Sequence, residues 1–438
     1  MLTKNQSKNR MQAQIISIED VVPENHLVRQ IEQAINFTFI YEQVSHLYSQ
    51  AERRPSVDPV VLFKIILIKY IFGIRSIRQT IKEIEVNMAY RWFLGYGMTQ
   101  RIPHFTTFGK NYERRFKDTD VFEQIFMHIL NEAVRMGFID AAEVFIDATH
   151  IKASANKNKA TNEAVEIKAK HYHAELMEEI NRDRAAHGKK PLKNKNDKDD
   201  NDNEANNGNN PTPAPTKNTK VSKTDPESGL FHKGEHEKMF AYTAHTACDK
   251  HGFVLGCDVS PGNVHDRVMF DSLYANVLNA FPEMEAVDSG YRTPWIMKQI
   301  FDSKRIAAVP YKRPMTKEGF FKKHEYVYDE YYDCYICPAF QILKYTTTNR
   351  DGYREYKSNP RICETCPSRH QCTASKNHTK VVTRHVWESY MERAEDIRHT
   401  PEGKALYAKR KETIERVFAD AKEKHAMRYT HTTAAWQN

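Results

Sequence analysis

After Asp58-Pro59 the chain reads VVLFKIILIKYIF, apolar on nearly every side, which predicts a helix buried all round. Asp58 suits its cap, Pro59 its first turn, and Gly73 its stop. Ser76 opens a second helix, IRQTIKEIE, and Asn87 a third, MAYRWFLGY. Beyond Pro103, HFTTFGKNYERRF reads as a fourth, and Asp118 or Thr119 starts a longer amphipathic one closed by Gly137. Residues 1–137 are therefore expected to form an all-α domain. Its short helices, tight glycine turn and basic, aromatic ends fit a helix-turn-helix DNA-binding region, and equally an ordinary bundle with a solvated basic face.

After Gly137 the pattern shortens. Val144, Phe145 and Ile146 form an apolar, β-prone run that delivers Asp147 at its end. A carboxylate at the lip of a core strand is paired, hydrogen-bonded or metal-bound, because burying an unpaired charge is costly. A polar helical stretch follows over 158–184. Residues 185–225 hold almost no apolar side chain between Leu192 and Val221, so they are expected to be a disordered insertion. KMFAYTAHTAC and FVLGCDVS then alternate as two strands joined at Asp249–Gly252. VHDRVMFDSLYANVL is helix-like, Glu285–Val287 is a short strand ending in Asp288, and a helix over 293–303 leads to the strand RIAAVP. Strand, hairpin, helix, strand, helix, strand is the order of an RNase H-like α/β mixed-sheet domain, here spanning 138–310 and 386–438. In that order the first strand lies beside the fourth, so Asp147 and Asp288 meet at one edge of the sheet.

LYAKRKETIERVFADAKEKH, Leu406 to His425, is expected to be helical throughout, with Ile414, Val417, Phe418 and Ala421 as its docking stripe. Glu415 stands at the margin of that stripe, with Lys411 four residues before it and Lys422 seven after. A solvated charged face accounts well for Lys409, Glu412 and Glu423, and less well for Glu415.

Between Asp288 and this helix lies an inserted block, 311–385, rich in Tyr, Lys and Arg. Cys334-x-x-Cys337 and Cys363-x-x-Cys366 are two knuckles that signal zinc, set further apart than in the usual ribbon, against the alternative of unbound structural thiols. Cys372 could replace Cys334 as the fourth ligand.

Composition adds little. Lys and Arg number 65 against 57 Asp and Glu, a net +8 that permits a nucleic-acid partner without requiring one. No apolar run approaches the length of a membrane span, and the N-terminus lacks a signal-peptide core, so the expectation is a cytoplasmic protein, on DNA, with no membrane association.

Taken together, FIDATHIKA, SPGNVHDRVMFDSL, AVDSGYRTP and KRKETIERVFADAKEKHAMRY resemble, in order, the insertion-sequence DDE transposases, which carry an RNase H-like catalytic domain and a C-terminal helix with a Tyr, Arg, Glu, Lys signature. The resemblance implies Asp147, Asp288 and Glu415 as catalytic carboxylates holding Mg²⁺ or Mn²⁺, with Lys422 as the signature lysine. It also implies metal-dependent cleavage and strand transfer on double-stranded DNA at element ends, by a protein that is a homodimer when active. His150, Lys152, Lys411 and Arg292 are then candidates for holding DNA. The signature departs upstream: Lys411, not Arg, stands four before Glu415, and Tyr407 is one residue out of step. A catalytically inactive, transposase-derived DNA-binding protein is the alternative. The ending HTTAAWQN lacks the Tyr-x-Arg-Gly-Leu-like continuation of the family. Codons allowed for it, shifted in frame from the third base of His431, would encode Tyr-Tyr-Arg-Gly-Leu-Ala-Lys, so a truncated copy arising by frameshift near Thr430 is a further expectation.

Overall fold

In the computed structural model, which describes residues 13–48, 56–156, 158–166, 172–192, 216–233, 237–264, 266–311 and 316–430, the chain divides into two units, Met1–Ile139 with Phe418–Asn438, and Asp140–Val417.

The first unit is helical. The Asp58 carboxylate accepts from the Val60 N–H at 2.8 Å and caps the helix Pro59–Ile71. Gly73, at φ +64°, ends it. Ser76 caps Ile77–Val86, and Asn87 caps Met88–Phe93. Thr106–Asn111 runs on into a π-helical turn over Tyr112–Phe116, and Val121–Arg135 stops before Gly137 at φ +74°. Ile40, Leu62, Ile68, Ile84, Phe93 and Phe116 form the core. Lys64 is buried with them, its ammonium held by the Glu32 carboxylate at 2.6 Å and the Phe93 carbonyl at 3.0 Å. This follows from a helix apolar all round: a buried lysine on it has to reach a counterion, here the exposed Glu32.

Among the described residues the second unit holds three sheets. Strand β1 spans Glu143–Lys152, so it continues past Asp147 instead of ending there. Next, β2 (Ala160–Glu166) pairs antiparallel with β3 (Thr216–Ser222). This corrects two expectations. Part of the polar stretch 158–184 is a strand, with a helix only over His173–Ala186. Part of the stretch expected to be disordered, 185–225, is also a strand, because pairing with β2 satisfies a backbone that has no apolar face of its own. Residues 193–215 lie outside the described residues, as do the last eight, 431–438.

The central sheet adds β4 (Gly229–Lys233), β5 (Glu237–Asp249), β6 (Val254–Pro261), β7 (Ala286–Ser289) and β8 (Ile306–Ala308). Its order is β4-β5-β1-β7-β8, with β6 also on β5. β1 runs antiparallel to β5 and parallel to β7, which is parallel to β8. The first strand thus lies beside the one carrying Asp288.

The cysteine block is a five-stranded antiparallel sheet, β9 (Val327–Asp329), β10 (Cys334–Ile336), β11 (Ile342–Thr348), β12 (Tyr353–Lys357) and β13 (Val381–His385), paired in sequence order. Its core is Tyr326, Tyr335, Leu343, Tyr356 and Val382. Helix His173–Ala186 is tied to it: Arg354 pairs with the buried Asp183 at 2.6 Å, and the Arg184 guanidinium donates to the Thr348 carbonyl at 2.9 Å.

Candidate active site

Val144, Phe145 and Ile146 are wholly buried and anchor β1 in the core. Its pairing with β7 sets Phe145 opposite Asp288 and Ile146 opposite Ser289, then stops, so Asp147 is the first residue of β1 beyond it. Side chains alternate along a strand, which puts Asp147 on the face of Phe145 and therefore of Asp288. The chain leaves β7 through Gly290, whose N–H donates to the Ile146 carbonyl at 2.9 Å. A Cβ at Gly290 would overlap the Asp147 carboxylate, so glycine leaves that acid its room.

The third acid arrives differently. Instead of one helix from Leu406 to His425, there are two, Pro401–Lys409 and Ile414–Glu423, separated by a wide turn. The Thr413 hydroxyl donates back to the Lys409 carbonyl at 2.9 Å, and the Glu415 N–H reaches the Arg410 carbonyl, five residues back, at 3.2 Å. Side-chain back-bonding and an i to i−5 link are both ways of interrupting a helix, and they turn Arg410 inward.

Arg410 is buried at the centre of the cluster. Its Nη1 lies 2.8 Å from Asp288 Oδ2, its Nη2 bonds Asp147 Oδ2, and its Nε is 3.6 Å from Glu415 Oε1. One guanidinium therefore gathers all three acids predicted from the sequence. Three carboxylates against one cation leave an excess of negative charge. Burial pushes the Asp288 carboxyl up to about 6, Arg410 opposes that rise, and Asp147 and Glu415 add to it. Asp288 Oδ1 is buried without a hydrogen-bond partner among the described residues. Hard oxygen donors, surplus negative charge and an orphaned carboxylate oxygen suit a divalent cation such as Mg²⁺. Among the described residues no group of three His, Cys, Asp or Glu is set to hold a metal ion, and here it is Arg410 that stands between the acids.

The other residues predicted from the sequence are more scattered. Lys411 is exposed on the wide turn. Lys422 is half-buried, seven residues or about two helical turns beyond Glu415. His150 and Lys152 are odd numbers of residues from Asp147, so the alternation places them on the opposite face of β1. His150 there packs at a tilt against Phe231, with Nδ1 3.0 Å from Thr243 Oγ1. Arg292 is paired with Glu395 at 2.8 Å.

Arg410 itself was missed by sequence reasoning. The signal was present in the misfit at Lys411 and Tyr407. Arg410 is three residues after Tyr407, and the wide turn absorbs the one extra residue before Glu415.

The cysteines divide. Cys334 is buried on β10, in a cavity shared with His187, Asp333, Lys344 and Tyr345. Cys337, Cys363, Cys366 and Cys372 line a different one. All seven cysteines of the chain are free thiols.

Residues 16–114 match the family model of a Transposase domain (DUF772), and residues 336–434 match that of a Transposase DDE domain. The chain belongs to the DDE transposases. It is a DNA transposase, of a family of metal-dependent, DNA-cleaving enzymes that act at the ends of mobile elements. The second match includes Arg410 and Glu415, whereas Asp147 and Asp288 fall between the two matched spans. No curated protein and no solved structure matches the chain. No described helix of this transposase is long and apolar enough to cross a membrane.

Proposed function

We propose that this transposase cleaves and joins DNA at Asp147, Asp288 and Glu415, on a sheet of RNase H-like order. The observation that carries the reading is the convergence of these three acids on Arg410, with one oxygen of Asp288 buried and unpartnered. Mg²⁺ or Mn²⁺ bound there would activate the attacking oxygen and stabilise the leaving one in an in-line displacement at phosphorus. Asp147 and Asp288 would be the ligands from the sheet and Glu415 the ligand from the C-terminal helix, where its side chain is half-exposed. Arg410 balances the acids until cations arrive, and its guanidinium then suits a DNA phosphate. Lys411 and Lys422 hold the backbone further along. Arg292 joins them only by leaving Glu395, and His150 and Lys152 serve DNA that reaches the far face of β1. The helical domain reads the element end, zinc orders the cysteine block, and a homodimer brings two ends together in the cytoplasm.

The place of Arg410 favours one rival, a copy that keeps its acids but cannot exchange the guanidinium for metal and only binds DNA. A single experiment separates them. Labelled donor DNA carrying the encoding element and its flanks is incubated with the full chain and Mg²⁺. Cleavage is expected, reduced at least ~10³-fold in D147A and D288A with DNA binding retained. Binding without cleavage by the parent establishes the rival, and cleavage undiminished in D288A removes the acids from the mechanism.

A further inference from the structure

We propose that the zinc of the cysteine block is held by Cys337, Cys363, Cys366 and Cys372, and that Cys334 is not a ligand. The assignment rests on the zinc reading above and replaces the ligand set suggested by spacing alone.

The argument begins with parity. Residues three apart on a strand face opposite sides of the sheet, whereas residues three apart on a helical turn share a face. Cys334 lies within β10, between partners on β9 and β11. Its neighbour Tyr335 enters the block's core, and Cys337 packs against that same core, as does Cys372. Cys334 points the other way, into the cavity with His187 and Asp333. Cys363 and Cys366 obey the helical rule: they lie at the end of the helix Pro360–Glu364, where the Cys366 N–H donates to the Cys363 carbonyl at 3.3 Å.

The four remaining thiols line one cavity of about 230 Å³. Two details mark it as a built site. The turn after Cys337 aims the Gln341 N–H at Cys337 Sγ, 3.3 Å away, so the backbone fixes where that sulfur stands. That turn holds Phe340 at φ +56°, a backbone shape an L residue adopts at a cost. Cys372 is positioned from both ends, its sulfur 3.2 Å from the Tyr326 hydroxyl and its carbonyl 3.0 Å from Lys380 Nζ. Four sulfur donors and no carboxylate suit tetrahedral Zn²⁺. The thiols surround the cavity without standing at metal-ligand spacing, so binding zinc would require residues 358–380 to close on the end of β10. That segment carries Arg361, Arg369, Lys376 and Lys380 against one acid, Glu364, so the metal would fix a basic surface in place.

The test uses the full chain, purified under reductant, with zinc measured per chain and Co²⁺ exchanged in as a spectroscopic probe. Expected are a single zinc, a strong thiolate-to-cobalt charge-transfer band, retention of metal in C334S and its loss in C372S. Should C372S fail to fold, alkylation of the parent decides: a chelator should open Cys337, Cys363, Cys366 and Cys372 to iodoacetamide and leave the labelling of Cys334 unchanged. Metal lost in C334S and kept in C372S, or chelator-gated labelling at Cys334 instead of Cys372, overturns the assignment while zinc binding stands. A parent chain with neither zinc nor a cobalt-thiolate band overturns the zinc reading itself.

Discussion

Two clusters of side chains sit in the same unit, three carboxylates and four thiols, and they are gathered in opposite ways. Asp147, Asp288 and Glu415 converge on an internal cation, Arg410, whereas Cys337, Cys363, Cys366 and Cys372 surround a cavity. The difference is one of charge. Carboxylates at neutral pH are ionised unless burial prevents it, and bringing three together needs a counterion. Thiols can be gathered as neutral groups, which repel nothing but also attract nothing, so only metal closes their geometry. The acid site is therefore held ready by the protein itself, whereas under the proposed assignment the cysteine site would be finished by its ligand.

Removing the internal cation should break that contrast most severely. R410A removes from the fully buried Asp288 the guanidinium it is paired with, a change that costs about 3–5 kcal/mol where a buried pair is severed. A large drop in the denaturation midpoint is expected without metal, partly returned by Mg²⁺, which supplies the missing charge. An R410A chain as stable as its parent in chelator would mean that Arg410 does not hold the acids together.

Acidification sharpens the contrast at smaller scale. Burial raises the Asp288 carboxyl from the ordinary 3.8 to about 6, against the pull of Arg410. With the folded value above the unfolded one, the stabilising contribution is fully present below pH 3.8 and is lost as pH rises through 6. The metal-free chain should thus gain about 1.4 kcal/mol per unit from this group as pH falls from 6 towards 4. Mg²⁺ needs the ionised acid, so its affinity should run the other way, weakening about tenfold per unit below pH 6. Calorimetric titration at pH 7 and pH 5 checks both signs, and an Mg²⁺ affinity independent of pH would exclude Asp288 as a ligand.

The three acids were legible because each is tied to a local pattern: Asp147 to an apolar strand run, Asp288 to a short strand, Glu415 to the edge of a helical stripe. Arg410 was not, because its position depends on a helix interruption that Thr413 and the Glu415 N–H create, and unbroken helical periodicity argued against any turn there. The choice between Cys334 and Cys372 was left open by the sequence for a related reason. The same Cys-x-x-Cys spacing means convergence on a helical turn and divergence on a strand, and spacing alone does not say which structure carries it. Strand order was readable from the sequence of elements. The β2–β3 pair was not, since its register links positions far apart through a polar stretch with no hydrophobic alternation.

The smallest expected effect tests the turn that presents Cys337. Phe340 is largely exposed, yet its backbone sits at φ +56°, and its N–H closes the turn on the Cys337 carbonyl at 2.8 Å. A side chain in the left-handed region costs about 1–2 kcal/mol relative to glycine, while glycine loses more freedom on folding. An exposed ring contributes little packing to set against this, so F340G should stabilise the zinc-bound block by about 0.5–1 kcal/mol net. The same variant should bind zinc a few-fold more tightly, because the conformation that aims the Gln341 N–H at the Cys337 sulfur is then reached without strain. At the acid site no such gain is available, since its geometry is set by charge. Competition with a zinc chelator reads the affinity directly. If F340G binds zinc more weakly than its parent, the ring is packed on something that matters, and the turn is not the limiting element of the site.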